Sequence, residues 1–285
     1  DHMGPICHPF FMNANLVTSA PYLQHADPAL KYVIVLSCSN ISFDNSSFPR
    51  GLQFHSAANP QNPEIQSVGF FGRNVRPLPV FRYPAYVKED LDRAIKVMRE
   101  SVKKKEILQK EMDLIVSLFN DIYLKPEILE CKTYAEQMIK TNYHLWRQYF
   151  KHSSDHIPDL LYVEQETLVS RLLLKYHLDH DTIINHILFD PQYDDFIQSF
   201  FKDIDGAFSC DQKWGTYLFW ALPKGAKYRL QLWKKGNELV SKDGSYKVKL
   251  TPEDLRRALE DREIFSSTLM DFIVLSFYYG LKCLG

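Results

Sequence analysis

Hydrophobic residues recur at three- and four-residue steps from Lys88 onward, which places them on one face of an α-helix. At about 1.5 Å per residue, this helix would be about 50 Å long. A second helix is predicted from Glu127 to about Lys151, because Pro126 is typical of a first helical turn. The short connection predicts an antiparallel helical hairpin. The positions of the first helix face are Leu91, Ile95, Met98, Val102, Leu108, Met112, Ile115, Phe119 and Ile122.

Three short apolar runs before this hairpin are typical of β-strands. The run 32–36 is continuously apolar and rich in β-branched residues, which predicts a fully buried strand. Strands are also predicted near 65–71 and 78–83, and the second of these should be an edge strand because prolines surround it. The prolines of residues 4–30 predict irregular structure there.

The C-terminal third returns to the alternation of a β-sheet. Residues 228–233 alternate between apolar and polar, and turn sequences follow at 235–237 and 243–245, so we predict a β-meander. Thr251 and Pro252 are typical of a helix start, and a last apolar helix begins near Ser266. Shorter helices are predicted at 163–176, 181–188 and 191–201.

Together these elements predict a mixed α/β fold, with a small mixed sheet, a long helical hairpin and a C-terminal β-meander plus helices. The N-terminal strands are too few for a sheet of their own, so we expect them to join the C-terminal strands in a single interwoven domain. Residues 1–3 are typical of a cloning remnant, followed by an N-terminal α/β part (4–86), a helical middle (87–209) and the C-terminal part (210–285).

Composition and charge narrow the class of protein. Hydrophobic residues make up 45% of the 285 residues and the net charge is −1, so the chain is predicted to fold and not to bind nucleic acid through phosphates. The most apolar stretch, 269–279, is too short to span a bilayer, which predicts no membrane association. The five cysteines are widely spaced without a CxxC pair, which favours free thiols and a cytoplasmic protein.

Several common catalytic and cofactor motifs are missing from the sequence. It contains no GxGxxG, no Walker loop, no GxSxG elbow and no kinase motif set, which disfavours dinucleotide oxidoreductases, P-loop NTPases and serine hydrolases of the elbow type. No motif is specific enough to name a family, and the identity of any cofactor stays open.

The polar stretch 37–62 is the first candidate site, because ligands bind beyond the carboxyl ends of strands in open α/β sheets. Its arginine could bind an anion, together with Arg73 further along the chain, and its histidine could transfer protons. Structural use of the same side chains in Asx- and Ser-turns is the alternative. The predicted residues are Ser39, Asn40 and Asn45 for binding, Arg50 and Arg73 for the anion, His55 for catalysis and Asp44 as its orienting group.

The N-terminal residues are a second candidate. His8 could act as acid or base, and Asn13 and Asn15 could bind a small ligand through their amides. Turn formation around the prolines is the alternative. The acids that begin the predicted helix near Glu164 could supply a general acid if one is buried facing the pocket, although acids in a first helical turn also complement the helix dipole.

Two further clusters are better explained by structure. His177, Asp179, His180, Asp181 and His186 match no metal motif, and an aspartate cap of a helix explains them. We therefore predict no metal site. The aromatic and basic residues of 142–150 are expected to pack against the partner helix.

The sequence thus predicts a cytosolic enzyme that acts on a small anionic metabolite by group transfer or hydrolysis. The alternative is an interaction protein that uses the helical hairpin as a contact or homo-oligomer surface.

Overall fold

The chain forms a mixed α/β fold, as the sequence predicts. It divides into two compact units, an N-terminal unit that ends at Glu164 and a C-terminal unit that begins at Gln165. The computed structural model describes residues 2–6, 9–42, 51–72, 77–152, 157–200, 202, 204, 208–209 and 214–282.

The described residues of the N-terminal unit form helices and two small sheets. Its helices are α1 (Pro9–His25), α2 (Lys88–Lys103), α3 (Gln109–Leu118), α4 (Pro126–Leu129) and α5 (Tyr134–Tyr149). Its strands are β1 (Tyr32–Ser37), β2 (Gly51–Ser56), β3 (Glu64–Gly69) and β4 (Asp159–Glu164). A π-helical turn, Phe119–Tyr123, continues α3.

The C-terminal unit begins with helices and ends with a sheet and further helices. Its helices are α6 (Gln165–Leu172), α7 (Ile183–Phe189), α8 (Asp194–Phe200), α9 (Pro252–Glu260) and α10 (Thr268–Phe272). Its strands are β5 (Phe208–Ser209), β6 (Trp214–Gly215), β7 (Phe219–Ala221), β8 (Leu230–Lys235), β9 (Glu238–Ser241), β10 (Lys247–Lys249) and β11 (Ile264–Ser266). π-Helical turns, Leu173–His177 and Ile273–Tyr278, continue α6 and α10.

β1 is a strand as predicted, but it is buried on one face only. Val33 and Val35 are buried, whereas Ile34 is 63% exposed. β1 pairs in parallel with β4, and Ser37 lies opposite Glu164 at the carboxyl ends of the two strands. The prediction of a fully buried strand is wrong because the sheet packs on the core through one face.

The strands of the two units form separate sheets. The C-terminal sheet has the order β10-β9-β8-β7-β11 with antiparallel neighbours, so the predicted β-meander is confirmed and β11 adds a further strand. Among the described strands, the N-terminal ones pair only with one another. The predicted pairing of N-terminal with C-terminal strands is therefore wrong, because β4 supplies the partner of β1 that we expected from the C-terminal third.

The predicted 50 Å helix is two helices, α2 and α3, that pack against each other. α2 ends at the lysine run, where Lys105 adopts a positive φ of 62°. Three consecutive lysines cannot continue an apolar seam, and a left-handed residue ends a helix. The second predicted helix is divided as well, because Thr133 and Glu136 form a capping box that starts α5.

Residues 9–25 form a helix where their prolines predict irregular structure. The apolar residues of α1 do not gather on one face, so its periodicity carries no helical signal. Ser19 Oγ donates a hydrogen bond of 2.7 Å to the carbonyl oxygen of Asn15. Such bonds to the preceding turn occur in helix interiors, and α1 accommodates Pro21 within its length.

The predicted edge strand 78–83 is also wrong. The segment forms a 3-10 turn at Val80–Arg82, because its prolines lack the N–H groups that a strand ladder requires. Two of its backbone N–H groups bond to the chain after β1: Phe81 N donates to Ser39 O at 2.8 Å, and Val80 N donates to Ile41 O at 3.0 Å.

The core of the N-terminal unit contains a cluster of interlocking rings. Phe70, at the end of β3, lies 5.3 to 5.6 Å from the ring centres of Tyr86, Phe119 and Tyr123, in tilted and edge-on geometry. This cluster fixes the π-helical turn after α3 against the β2–β3 hairpin. In the described residues no helix is sufficiently long and apolar to cross a membrane.

Candidate functional site: a groove beside His55

A groove lies between the β2–β3 hairpin, α3 and the end of α5, all within the N-terminal unit. We call it the His55 groove. Its cavity volume of about 480 Å³ is within the range of small-molecule sites, roughly 300–1,000 Å³. The lining residues are Leu52, Gln53, Phe54, His55, Ile65, Leu114, Ile115, Ser117, Leu118, Asp121, Gln148 and Tyr149.

Apolar side chains form most of the groove wall. Ile65 lies directly opposite His55 in the β2–β3 ladder, and it is 60% exposed. Leu114 and Leu118 are one turn apart on α3, and Leu114 is 71% exposed. Such exposure of large aliphatic side chains around a cavity is typical of a surface that covers a ligand or a partner.

Polar side chains reach the same groove from each of its walls. Gln53 and His55 are two residues apart on β2 and therefore lie on the same face of the strand. Asp121 lies on the π-helical turn after α3, and Ser117 Oγ donates a hydrogen bond of 3.0 Å to its carboxylate. Gln148 is in the last turn of α5. Apolar walls with a few convergent polar groups are the usual composition of a ligand site.

Most of the hydrogen-bonding capacity of these groups is unused. Within the described ranges, no hydrogen bond engages the side chains of Gln53, His55 or Gln148, and Ser117 is the partner of Asp121. His55 is exposed, and an imidazole ring can donate or accept a hydrogen bond. A ligand in the groove would find an imidazole, a carboxylate and two amides available.

Glu111 holds the two walls of the groove together. Its carboxylate accepts hydrogen bonds from Ala57 N at 2.7 Å and Ser56 Oγ at 2.8 Å, just after His55, and from Leu108 N at 2.9 Å at the start of α3. Burial acts to raise the pKa of Glu111, but these hydrogen bonds outweigh it and lower the pKa. The ionised carboxylate therefore joins the end of β2 to α3.

The predicted site residues are distributed over several places. His55 lines the groove, whereas Asn13 is exposed and Asn15 is buried on α1. Neither asparagine is part of the groove lining. Five predicted residues lie outside the described residues, so their predicted roles stay predictions: His8, Asp44, Asn45, Arg50 and Arg73.

Ser39 and Asn40 are buried just beyond the carboxyl end of β1, as the sequence predicts for their position. Ser39 Oγ donates a hydrogen bond of 2.6 Å to Glu164 Oε1, at the end of β4. The carbonyl oxygen of Cys38 accepts from Met3 N at 2.8 Å. These contacts bind two chain segments to the strand ends, which is a structural use of the polar residues.

The C-terminal unit contains a buried carboxyl group. Asp271 is 1% exposed, and it accepts hydrogen bonds from Ser266 Oγ and from Gln165 Nε2, the latter at 2.8 Å. Burial raises the pKa of Asp271 well above its ordinary value, and the charge of the buried Glu166 raises it further. We call these four residues the Asp271 cluster.

Two histidines of the C-terminal unit, His177 and His186, have partners within the protein. His177 is buried, with Nδ1 at 3.1 Å from Thr182 Oγ1 and Nε2 at 3.2 Å from the Tyr279 hydroxyl. Burial lowers the pKa of His177, and His180 lowers it further. His186 Nε2 lies 2.8 Å from a carboxylate oxygen of Asp181. The part of the chain that the structure describes contains no group of three or more metal-ligating side chains.

An apolar cavity of about 360 Å³ lies in the C-terminal unit between α7, α8 and the last π-helical turn. Its lining consists of aliphatic and aromatic side chains, and Phe196 and Phe277 are about 60% exposed beside it. Its described lining carries no charged group that could orient a reacting ligand.

Sequence reasoning missed Asp121 and Gln148 as groove residues. Leu114, Ser117, Leu118 and Asp121 are spaced at i, i+3, i+4 and i+7, so they share one helical face. The sequence pattern did not draw attention to this face, because the neighbouring face with Ile115, Phe119 and Ile122 contains the apolar residues of the core.

No model of a known protein family matches the chain, and no curated protein matches it.

Proposed function

We propose that the protein is an enzyme that binds a small amphipathic ligand in the His55 groove and moves a proton through His55. Hydrolysis or group transfer without a dinucleotide is the proposed reaction class. The observation that supports it is the position of His55, a residue expected to be catalytic, in a cavity of small-molecule size with its ring unengaged by the described residues.

The arrangement suits general acid–base catalysis of hydrolysis. One ring nitrogen of His55 takes a proton from water as the water oxygen forms a bond to the electrophilic carbon of the ligand. The bond to the leaving oxygen then breaks, and His55 returns the proton to that oxygen. Gln53 and Gln148 would orient the polar end of the ligand, and the wall around Leu114 and Leu118 would bury its apolar body.

Chromogenic esters test this proposal, because their hydrolysis needs no knowledge of the natural substrate. The probes are 4-nitrophenyl acetate and 4-nitrophenyl butyrate, and the measurement is the release of 4-nitrophenolate. Wild-type protein should exceed the buffer rate with at least one probe, and His55→Gln should lower kcat/KM by about 10²- to 10⁴-fold.

His152→Gln is the matched control, since His152 is exposed after α5 and does not line the groove. It should leave the rate unchanged, and circular dichroism should show that both variants fold. The proposal fails if wild-type protein releases no product above buffer, or if His55→Gln is as active as wild type.

A second candidate function is an interaction surface on α2 and α3. Val97 on α2 is 64% exposed and Leu114 on α3 is 71% exposed, which is favourable for a partner or a second copy of the chain. Light scattering coupled to size exclusion tests self-association. A dimer that Leu114→Asp converts to a monomer would support this function, and a monomer at high concentration would exclude a homo-oligomer.

A reducing compartment such as the cytoplasm is part of the proposal. No disulfide joins Cys38 or Cys131 to another described residue, which supports it. The proposed ligand is a small molecule, and nucleic acid is not a proposed partner because the net charge of −1 supplies no general attraction to phosphates.

A further inference from the structure

The charged groups of the His55 groove differ from those expected for an anion site. Its described lining includes the carboxylate of Asp121 and the imidazole of His55, and it includes no lysine or arginine. The arginines predicted to hold an anion, Arg50 and Arg73, lie outside the described residues. A ligand anion in this groove would meet a carboxylate without a permanent positive charge from the described lining to offset it.

Asp121 has unused capacity as an acceptor. A carboxylate can accept about four hydrogen bonds, and here Ser117 Oγ supplies one. In the described part of the chain, no lysine, arginine or histidine forms an ion pair with Asp121. An ammonium group, with three donors and a compact charge, would complement this carboxylate.

The neighbouring groups favour the same kind of ligand. The amide oxygens of Gln53 and Gln148 are further acceptors, and no described hydrogen bond uses them. Tyr149 is a further lining residue, and aromatic rings attract cations over their faces. The aliphatic walls would cover the rest of the molecule.

We infer that the His55 groove selects a ligand with a positively charged polar end, in particular a primary ammonium group attached to an aromatic or aliphatic body. The inference rests on the proposed function for the location of the site. It replaces the anionic ligand predicted from the sequence with a cationic one at this groove.

Three probes with nearly identical apolar bodies test whether the groove prefers a cationic, a neutral or an anionic ligand. They are 2-phenylethylamine, 2-phenylethanol and 3-phenylpropionate, and their affinities are measured by isothermal titration calorimetry. The ammonium probe should bind on the order of fivefold more tightly than the alcohol, because an exposed ion pair contributes about this factor. The carboxylate probe should bind most weakly.

Asp121→Asn should abolish the preference for the ammonium over the alcohol, since it removes the charge and keeps the shape. Asp113→Asn is the control on the same helix: Asp113 is exposed and accepts a hydrogen bond from Gln109, but it is not part of the groove lining. This control should keep the preference. The series is repeated in the His55→Gln background, so that the charge of the imidazole cannot set the order.

A carboxylate probe that binds as tightly as the ammonium probe would overturn the inference. So would an ammonium preference that survives Asp121→Asn, or the absence of binding by all three probes. Loss of ester hydrolysis in His55→Gln together with a carboxylate preference would overturn this inference alone. An ammonium preference without any effect of His55→Gln on hydrolysis would overturn the proposed catalysis alone.

Discussion

The Asp271 cluster and the His55 groove both contain several polar side chains, but they differ in how many of their donors and acceptors have hydrogen-bond partners. Asp271 is 1% exposed and accepts bonds from Ser266 and Gln165 inside the C-terminal unit. In the groove of the N-terminal unit, the side chains of His55 and Gln53 make no hydrogen bond with the described part of the chain.

This difference separates two uses of polar residues. A buried polar group must find its partners inside the protein, because leaving it unpaired costs about 1–3 kcal/mol. An exposed polar group in a cavity forms hydrogen bonds with water, and it can exchange them for hydrogen bonds to a ligand. The side chains of the Asp271 cluster therefore bond to one another, whereas those of the groove keep donors and acceptors available, which is why we propose the groove as the site of chemistry.

The largest effect is expected at Gly51, which starts the strand wall of the groove. A Cβ atom at Gly51 would lie 1.8 Å from the carbonyl oxygen of Val68 on β3, which no small shift relieves. Gly51→Ala should lower the free energy of unfolding by about 3 kcal/mol, measured by chemical denaturation. The groove should be lost with the β2–β3 hairpin, while the Asp271 cluster is unaffected.

Gly225→Ala is the control for this prediction. Gly225 has a φ of 85°, and a Cβ atom added to it would meet no atom within 4 Å, so the substitution should cost about 1–2 kcal/mol through backbone strain alone. Equal losses for the two variants would show that the close approach to Val68 is not the cause.

The second effect concerns the buried carboxyl group of Asp271. Its folded pKa is raised, so the folded state holds a proton that the unfolded chain releases, and stability falls as pH rises from the ordinary value of 3.8 to the raised pKa. Asp271→Asn removes this penalty. Relative to wild type it should gain stability with increasing pH, by about 1.4 kcal/mol for each unit by which the pKa is raised.

Asp243 is a useful comparison, because its pKa is lowered and not raised. Hydrogen bonds from the side chains of Ser241 and Ser245 lower the pKa of Asp243 to about 2, so its contribution is present above pH 3.8 and is lost as pH falls through about 2. Thermal unfolding from pH 2 to pH 8 measures both variants. If the stabilities of Asp271→Asn and Asp243→Asn, each relative to wild type, changed with pH in the same direction, the raised pKa of Asp271 would be contradicted.

The smallest effect is expected at Glu111, the link between the two walls of the groove. Its lowered pKa means that its contribution is present above the ordinary value of 4.5 and is lost as pH falls through the folded pKa. Glu111→Gln should cost about 1 kcal/mol at neutral pH, and the cost should fade in acid. The NMR signals of His55 should shift, since Ser56 and Ala57 lose a charged partner.

Asp113→Asn serves again as the control, because Asp113 is on the same helix and bonds only with the exposed Gln109 among the described residues. A cost for Glu111→Gln that does not change between pH 7 and pH 3 would argue that packing, and not the carboxylate charge, joins β2 to α3.

The local sequence was sufficient to predict an element wherever the interactions that determine the element are short-range. Thr251 and Pro252 predict the start of α9, and Ser267 caps α10 near the predicted start at Ser266. The alternation of residues 228–233 predicts β8. In each case the determining interactions span only a few residues, so they can be read along the chain.

Elements that lack a clear local pattern could not be predicted from the sequence. β4 was missed because Leu160 and Tyr162 alternate with half-buried apolar residues, so its sequence resembles a continuous apolar run before a helix. α1 was missed because its apolar residues lie around the whole helix. His55 lies in the polar stretch 37–62, where the sequence predicts no strand, and its strand is defined by pairing with β3.

Composition, caps and apolar periodicity were enough to specify a mixed α/β chain with most of its helices and a C-terminal meander, because they depend on neighbours within about one or two helical turns. The partner of β1, the break after α2 and the groove depended on residues far apart in the sequence. Residues 55, 121 and 148 line the same groove, and the ring contacts of Phe70 with Phe119 and Tyr123 hold the β2–β3 hairpin against the turn that contains Asp121. No local pattern encodes an arrangement of that span.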